Sequence, residues 1–208
     1  MIERNITPNI RAALADTPVV IVHGARQTGK STLVRELAKS RGCEYVTLDD
    51  AAPLSAVRLD PAGFIQGIDG PVVIDEIQRA PELVLAIKAA VDRNRVPGRF
   101  LLTGSADILS LPRLSDSLAG RVEIQTLWPF SQGELAHLRE GLIDAAFDRK
   151  PLRVPEARKR KYKLADLLLM GGYPAAIARL SAERRRAWYG AYVTTILERD
   201  VRDLANVE

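Results

Sequence analysis

Only one cysteine, two histidines and two methionines occur in the 208 residues. The lone thiol, Cys43, leaves no intrachain disulfide to form, which fits a reducing compartment and makes a cytoplasmic location the expectation. Cys43 itself is expected to open a buried strand. His23 and His137 stand apart from each other and from the cysteine, so neither marks a metal site. Aromatic residues make up 5% of the chain with little interleaving among the basic ones, so the sequence shows no base-stacking surface. No apolar stretch approaches the ~18 residues of a membrane-crossing helix. Ile2-Glu3-Arg4-Asn5 shows no basic-then-apolar targeting pattern. No internal repeat and no Ser-His-Asp arrangement stands out.

Charge is present but uneven. Residues 1–150 hold 18 Lys/Arg and 19 Asp/Glu, whereas residues 151–208 hold 12 and 7. The excess comes mainly from Arg158-Lys159-Arg160-Lys161 and Arg184-Arg185-Arg186. Such clusters neutralise nucleic-acid phosphates or form solvated faces. Nucleic acid bound through the basic C-terminal quarter is therefore one partner to weigh.

The strongest pattern is Gly24-Ala25-Arg26-Gln27-Thr28-Gly29-Lys30-Ser31, a G-x-x-x-x-G-K-[ST] phosphate-binding loop directly after Val19-Val20-Ile21-Val22. Gly24 lets the strand end in a tight turn, and Gly29 lets backbone approach phosphate. Loop amides point at the anion, Lys30 adds charge for the β- and γ-phosphates, and the Ser31 hydroxyl can ligate Mg²⁺. The helix that follows adds its N-terminal dipole, and Thr32 lies beside the α-phosphate.

Alternating apolar runs and amphipathic stretches predict strands at 18–23, 44–48, 71–75, 99–103 and 122–127. Helices are expected over 29–40, over 54–68 with a break at Pro61, and after Pro81. This order indicates an α/β fold with a buried parallel sheet and ligand at the carboxyl ends of its strands. A short helix over 130–138 closes a core of residues 1–138. Residues 139–161 read as a connection or mobile insert. Residues 162–208 hold helices at 164–170 and 182–205, separated by Gly171-Gly172-Tyr173-Pro174.

Val72-Val73-Ile74-Asp75-Glu76 supplies a second phosphate-chemistry signal. Asp75 is the candidate for holding Mg²⁺, and Glu76 for orienting and activating water. The adjacent pair of acids favours a hydrolysing ATPase over a monophosphate kinase or small GTPase. No Asn-Lys-x-Asp guanine-reading element is present. At the end of strand four, Ser105 is the first choice and Thr103 the second for contacting the γ-phosphate or water. Arg121 can stabilise transition-state charge, in cis or from a neighbouring subunit, and Arg113 is the weaker candidate. Gln78, Arg79, Asp49 and Asp50 read as capping, turn or exposed residues.

These motifs, with Leu102-Thr103-Gly104-Ser105 and Ser117-Leu118-Ala119-Gly120-Arg121, resemble the AAA+-type P-loop ATPases of bacteria and archaea. More narrowly, they resemble the prokaryotic ATP-binding proteins whose AAA domain precedes a conserved C-terminal region. Trp128-Pro129-Phe130-Ser131, followed by Glu134-Leu135, is similar to the element after that family's last core strand. Gly171-Gly172-Tyr173-Pro174 is similar to its lid motif, and Ile196-Leu197-Glu198-Arg199-Asp200-Val201 to the start of its next region.

The resemblance implies a five-stranded sheet of order 5-1-4-3-2 followed by a helical lid. It also implies ATP and Mg²⁺ as ligands, slow hydrolysis, and Pro174 near the adenine. Family members continue past the Arg-Asp element where this sequence ends, so the chain reads as truncated, with Tyr192, Val193 and Ile196 left exposed. The first reading is thus an ATP-dependent switch or ATPase. A nucleic-acid-binding module using ATP as a ligand is the second, and a small-molecule phosphotransferase the third. A homo-oligomer is expected if Arg121 acts in trans.

Overall fold

The computed structural model describes residues 2–105, 118–138, 140–148 and 163–205. Its contacts divide the chain into two compact units, Met1–Trp128 and Pro129–Glu208. The division falls ahead of the boundary at 138 expected from sequence.

The first unit is built on a five-stranded parallel sheet of order β2-β3-β4-β1-β5, the order expected. Its strands are β1 (Val19–His23), β2 (Glu44–Thr47), β3 (Val72–Asp75), β4 (Phe100–Gly104) and β5 (Val122–Thr126). Val19 to Val22 are wholly buried because β1 has a strand on each side and helices on both faces. Five helices precede β4 or flank it: α1 (Thr7–Asp16), α2 (Lys30–Arg41), α3 (Ala51–Leu59), α4 (Pro61–Gln66) and α5 (Leu83–Arg93). One apolar layer gathers Ile74, Leu83, Val84, Ile87 and Leu102, and the other Ile10, Leu14, Val20, Leu33 and Val34. Because every strand runs the same way, residues that follow β1, β3 and β4 meet at one edge of the sheet.

Several elements differ from the sequence expectation. Helix α1 was not anticipated, although Pro8 in its first turn and Ile10, Ala13 and Leu14 on its buried face carry the signal. The stretch broken at Pro61 resolves into α3 and α4, with the Asp60 carboxylate accepting from the Gly63 N–H. Cys43 does not open a buried strand. It precedes β2, is half-buried, and β2 is an edge strand with Glu44 exposed.

The second unit holds α6 (Gln132–Ala136), α7 (Leu142–Phe147), α8 (Leu164–Met170), α9 (Pro174–Ile177) and α10 (Ala182–Ala205). Helix α6 starts with a reciprocal cap, in which Ser131 Oγ accepts from the Glu134 N–H and Glu134 accepts from the Ser131 N–H. Helix α7 lies within residues 139–161, the stretch that reads from sequence as a connection or mobile insert. Tyr173, Trp188, Tyr189 and Tyr192 form a ring cluster, with Trp188 and Tyr192 stacked at 5.1 Å. Val193 is exposed, whereas Tyr192 and Ile196 are half-buried. The cluster Arg158-Lys159-Arg160-Lys161, Arg113 and Ser117 lie outside the described residues. No helix among the described residues is long and apolar enough to cross a membrane.

Candidate functional site

The strand-to-helix turn after β1 is shaped by its glycines. Gly24 has φ +154, and a Cβ there would stand 2.2 Å from the Leu127 carbonyl oxygen, so no side chain fits. Gly29 caps α2 in a left-handed conformation at φ 98. Gln27 also has positive φ, an unfavoured backbone for a non-glycine residue.

The loop's carbonyls are occupied by donors. Lys30 Nζ donates to Gly24 O and Ala25 O, each at 3.0 Å, and Thr28 Oγ1 also donates to Ala25 O. Thr28 O accepts from Arg4 Nη1 at 2.9 Å. No side chain caps the first amides of α2, which leaves the N–H groups of Lys30, Ser31 and Thr32 facing the turn. Oxygens turned aside and amides turned inward are what an anionic phosphate chain needs. Lys30 is buried at 5% exposure. Burial pulls its ammonium below the usual range, while the Glu76 and Asp75 carboxylates oppose that shift and Arg26 adds to it.

Asp75 ends β3 and Glu76 follows it, two strands away from β1 with β4 between them. Asp75 is buried, and both carboxylate oxygens are held. Thr103 Oγ1 donates to Oδ1, and Tyr45 OH donates to Oδ2 at 2.7 Å. The Tyr45 phenol is pushed up to about 12 by burial and then by the Asp75 hydrogen bond, so it remains a donor at neutral pH. Glu76 sits in left-handed backbone at φ 62, a strained position of the kind functional sites retain. Its N–H donates to Thr103 Oγ1 at 3.0 Å, and its carboxylate accepts from Gln78 Nε2. The Thr103 hydroxyl therefore already serves Asp75 and Glu76. Ser105 differs: it is 3% exposed and its Oγ has no partner among the described residues. Gln78 Oε1 and His23 Nδ1, at the ends of the neighbouring strands, are likewise buried without partners among the described residues.

These observations fit a nucleotide with a divalent cation. Ser105 Oγ, buried with no partner among the described residues, is a group that a polar ligand atom would satisfy. No group of three or more His, Cys, Asp and Glu among the described residues can hold a metal by itself. A hard cation shared between Ser31, Asp75 and phosphate oxygens needs no such group.

Other candidates are not brought to this edge. Arg121 precedes β5, and its backbone carbonyl accepts from the Val19 N–H at the far end of β1. The five residues of β1 separate that end from Gly24, about 17 Å at the usual rise. Its guanidinium pairs with Asp92 and with Ala119 O. The structure does not bring Arg121 to the phosphate loop of its own chain. Pro174 begins α9 in the second unit, where Gly172 is required because a Cβ would stand 2.2 Å from Phe130 O. Arg79 pairs with Asp49 at the surface, while Thr32 and Arg26 are exposed. Asp50 lies just before α3 and its side chain makes no cap bond.

Two residues had no sequence signal. Tyr45 lies in a short half-exposed strand, and Arg4 in a segment without assigned periodicity. Only their long-range partners reveal them.

Residues 16–136 match the AAA domain, and residues 161–208 match a domain of unknown function, DUF8612. The uncharacterized proteins Mb2031c of Mycobacterium bovis and Rv2008c of Mycobacterium tuberculosis are each 36% identical over 202 residues. That match takes in 97% of this chain and 40% of theirs, so the chain spans about two fifths of those relatives. Among solved structures, the Walker-type ATPase PABY2304 of Pyrococcus abyssi is similar in fold, with a TM-score of 0.50 and 16% identity. That likeness takes in 99% of this chain and 76% of the archaeal one. With the phosphate loop, the paired acids and the 2-3-4-1-5 sheet in place, the chain belongs to the AAA-domain family of P-loop nucleotide-binding proteins.

Proposed function

We propose that the first unit binds Mg-ATP at the carboxyl ends of β1, β3 and β4, and hydrolyses it slowly as a nucleotide-driven switch. The observation that carries this reading is the buried Lys30 ammonium, which donates to loop carbonyls and feels the Asp75 and Glu76 carboxylates, together with a buried Ser105 hydroxyl that has no partner among the described residues. Lys30 and the amides of residues 25–30 hold phosphate. Ser31 and Asp75 place Mg²⁺, which when bound neutralises charge on the phosphate oxygens. Glu76 accepts a proton from the attacking water, and Ser105 touches the γ-phosphate or that water.

Slow turnover is expected because Arg121 is turned away from its own loop, and an arginine at the transition state contributes roughly 10³–10⁵ in rate. Arg121 then acts on the site of a neighbouring copy. The test pairs two variants. Lys30→Ala is expected to abolish ATP binding in calorimetry, and Glu76→Gln to retain binding while phosphate release stops. Unchanged affinity in the first, or wild-type turnover in the second, removes the residue from its role.

Exposed Arg184 and Arg186 at the start of α10 support a second reading, nucleic acid as the partner. It requires DNA affinity that falls steeply with salt. A flat log-log slope removes it.

A further inference from the structure

Among the described residues, Arg4 and Lys30 are the basic side chains that the first unit buries. Lys30 belongs to the loop, whereas Arg4 comes from outside every motif. Its guanidinium bridges two distant carbonyls: Nη1 donates to Thr28 O at 2.9 Å and Nη2 to Trp128 O at 2.5 Å. The Thr28–Gly29 peptide is trans, so the carbonyl that Arg4 holds and the Gly29 N–H point in opposite directions. Holding that oxygen on one side keeps the amide turned to the other.

The second carbonyl lies where the chain leaves the unit. Trp128 is its last residue, and the preceding Leu127 N–H donates to His23 O at 2.7 Å. Gly24 packs on the Leu127 carbonyl so closely that a Cβ would stand 2.2 Å from it. Both ends of the phosphate loop are thus fastened to Leu127-Trp128. Two residues further, the Phe130 N–H donates to Gly172 O at 2.8 Å. Gly172 precedes Tyr173, whose ring lies 5.6 Å from that of Trp188.

We infer that Arg4 is a positioning residue that fastens the phosphate loop to the chain's exit from the sheet, so that nucleotide binding is transmitted to the Gly172–Tyr173 element. The inference rests on the nucleotide reading above. A planar guanidinium bridges two acceptors, whereas a lysine ammonium at this place can reach one.

The test uses Trp128→Phe, which keeps the backbone carbonyl and leaves Trp188 as the sole tryptophan. In that background Mg-ADP and Mg-ATP are expected to bind in calorimetry and to shift Trp188 emission at saturation. Adding Arg4→Met is expected to weaken binding about tenfold and to remove the shift even at saturating nucleotide. Arg4→Lys, checked for an unchanged melting temperature, is expected to bind more tightly than Arg4→Met yet lose most of the shift. A full shift in the folded Arg4 variants, or none in the background protein, overturns the inference. Failure of the background protein to bind either nucleotide overturns the nucleotide reading and the inference with it.

Discussion

At the residue scale, Lys30 and His23 are neighbours whose charges oppose each other. The His23 imidazole lies below its ordinary value of 6.5, held there by burial first and by the Lys30 charge second. Its Nε2 lies 2.7 Å from Thr126 Oγ1, which fixes the ring at the end of β1. A folded-state pKa below the unfolded one means that the unfolded chain takes up the proton first. The stability contribution is therefore whole above about pH 6.5 and is lost as pH falls through the folded value. Melting temperature is expected to drop as pH falls below about 6.5 in the wild type, and less in His23→Gln. Equal drops in both proteins would clear His23 of this role.

At the element scale, glycines separate a loop that must close on a neighbour from helix ends that merely turn. Gly24 closes against Leu127, with no room for a Cβ. Gly42 ends α2 at φ 61 with nothing within 4 Å of its would-be Cβ. Gly42→Ala is expected to lose about 1 kcal/mol in denaturant unfolding, from backbone strain alone. Gly24→Ala adds a backbone clash and is expected to lose about 3 kcal/mol or more, with nucleotide affinity falling alongside. Comparable losses at both sites would mean that the β1–β5 closure relaxes freely. The Gly24 requirement was readable from the motif, because the loop is a contiguous strand–turn–helix. Its partner Leu127 was not, because parallel pairing of β1 with β5 creates that contact across the sheet.

At the scale of the whole molecule, Arg121 and the site it would serve lie at opposite ends of the strands. A site completed by another copy gives turnover that rises with protein concentration. Specific ATPase activity is expected to climb with concentration in the wild type. Arg121→Ala is expected to lower turnover by roughly 10³-fold or more while leaving nucleotide affinity unchanged. Activity independent of concentration, and unchanged in the variant, would leave Arg121 as the partner of Asp92 alone. Its place before β5 was legible in the sequence. The end of the sheet it occupies follows too, since in an all-parallel sheet a residue that precedes a strand lies at the amino end, opposite the phosphate loop.

The sequence by itself determined the phosphate loop, the Asp75-Glu76 strand end and the parallel direction of the strands. Each depends on residues adjacent in the chain or on local periodicity. Only the tertiary structure decided what holds them. Arg4 reaches Thr28 across 24 residues, Thr103 reaches Asp75 across 28, and Tyr45 reaches Asp75 across 30. It also decided that Thr103 is engaged while Ser105 is left without a partner among the described residues. Such contacts come from strand register and burial. A buried polar side chain must find a donor or acceptor in whatever element the fold brings beside it, and no local pattern names that element in advance.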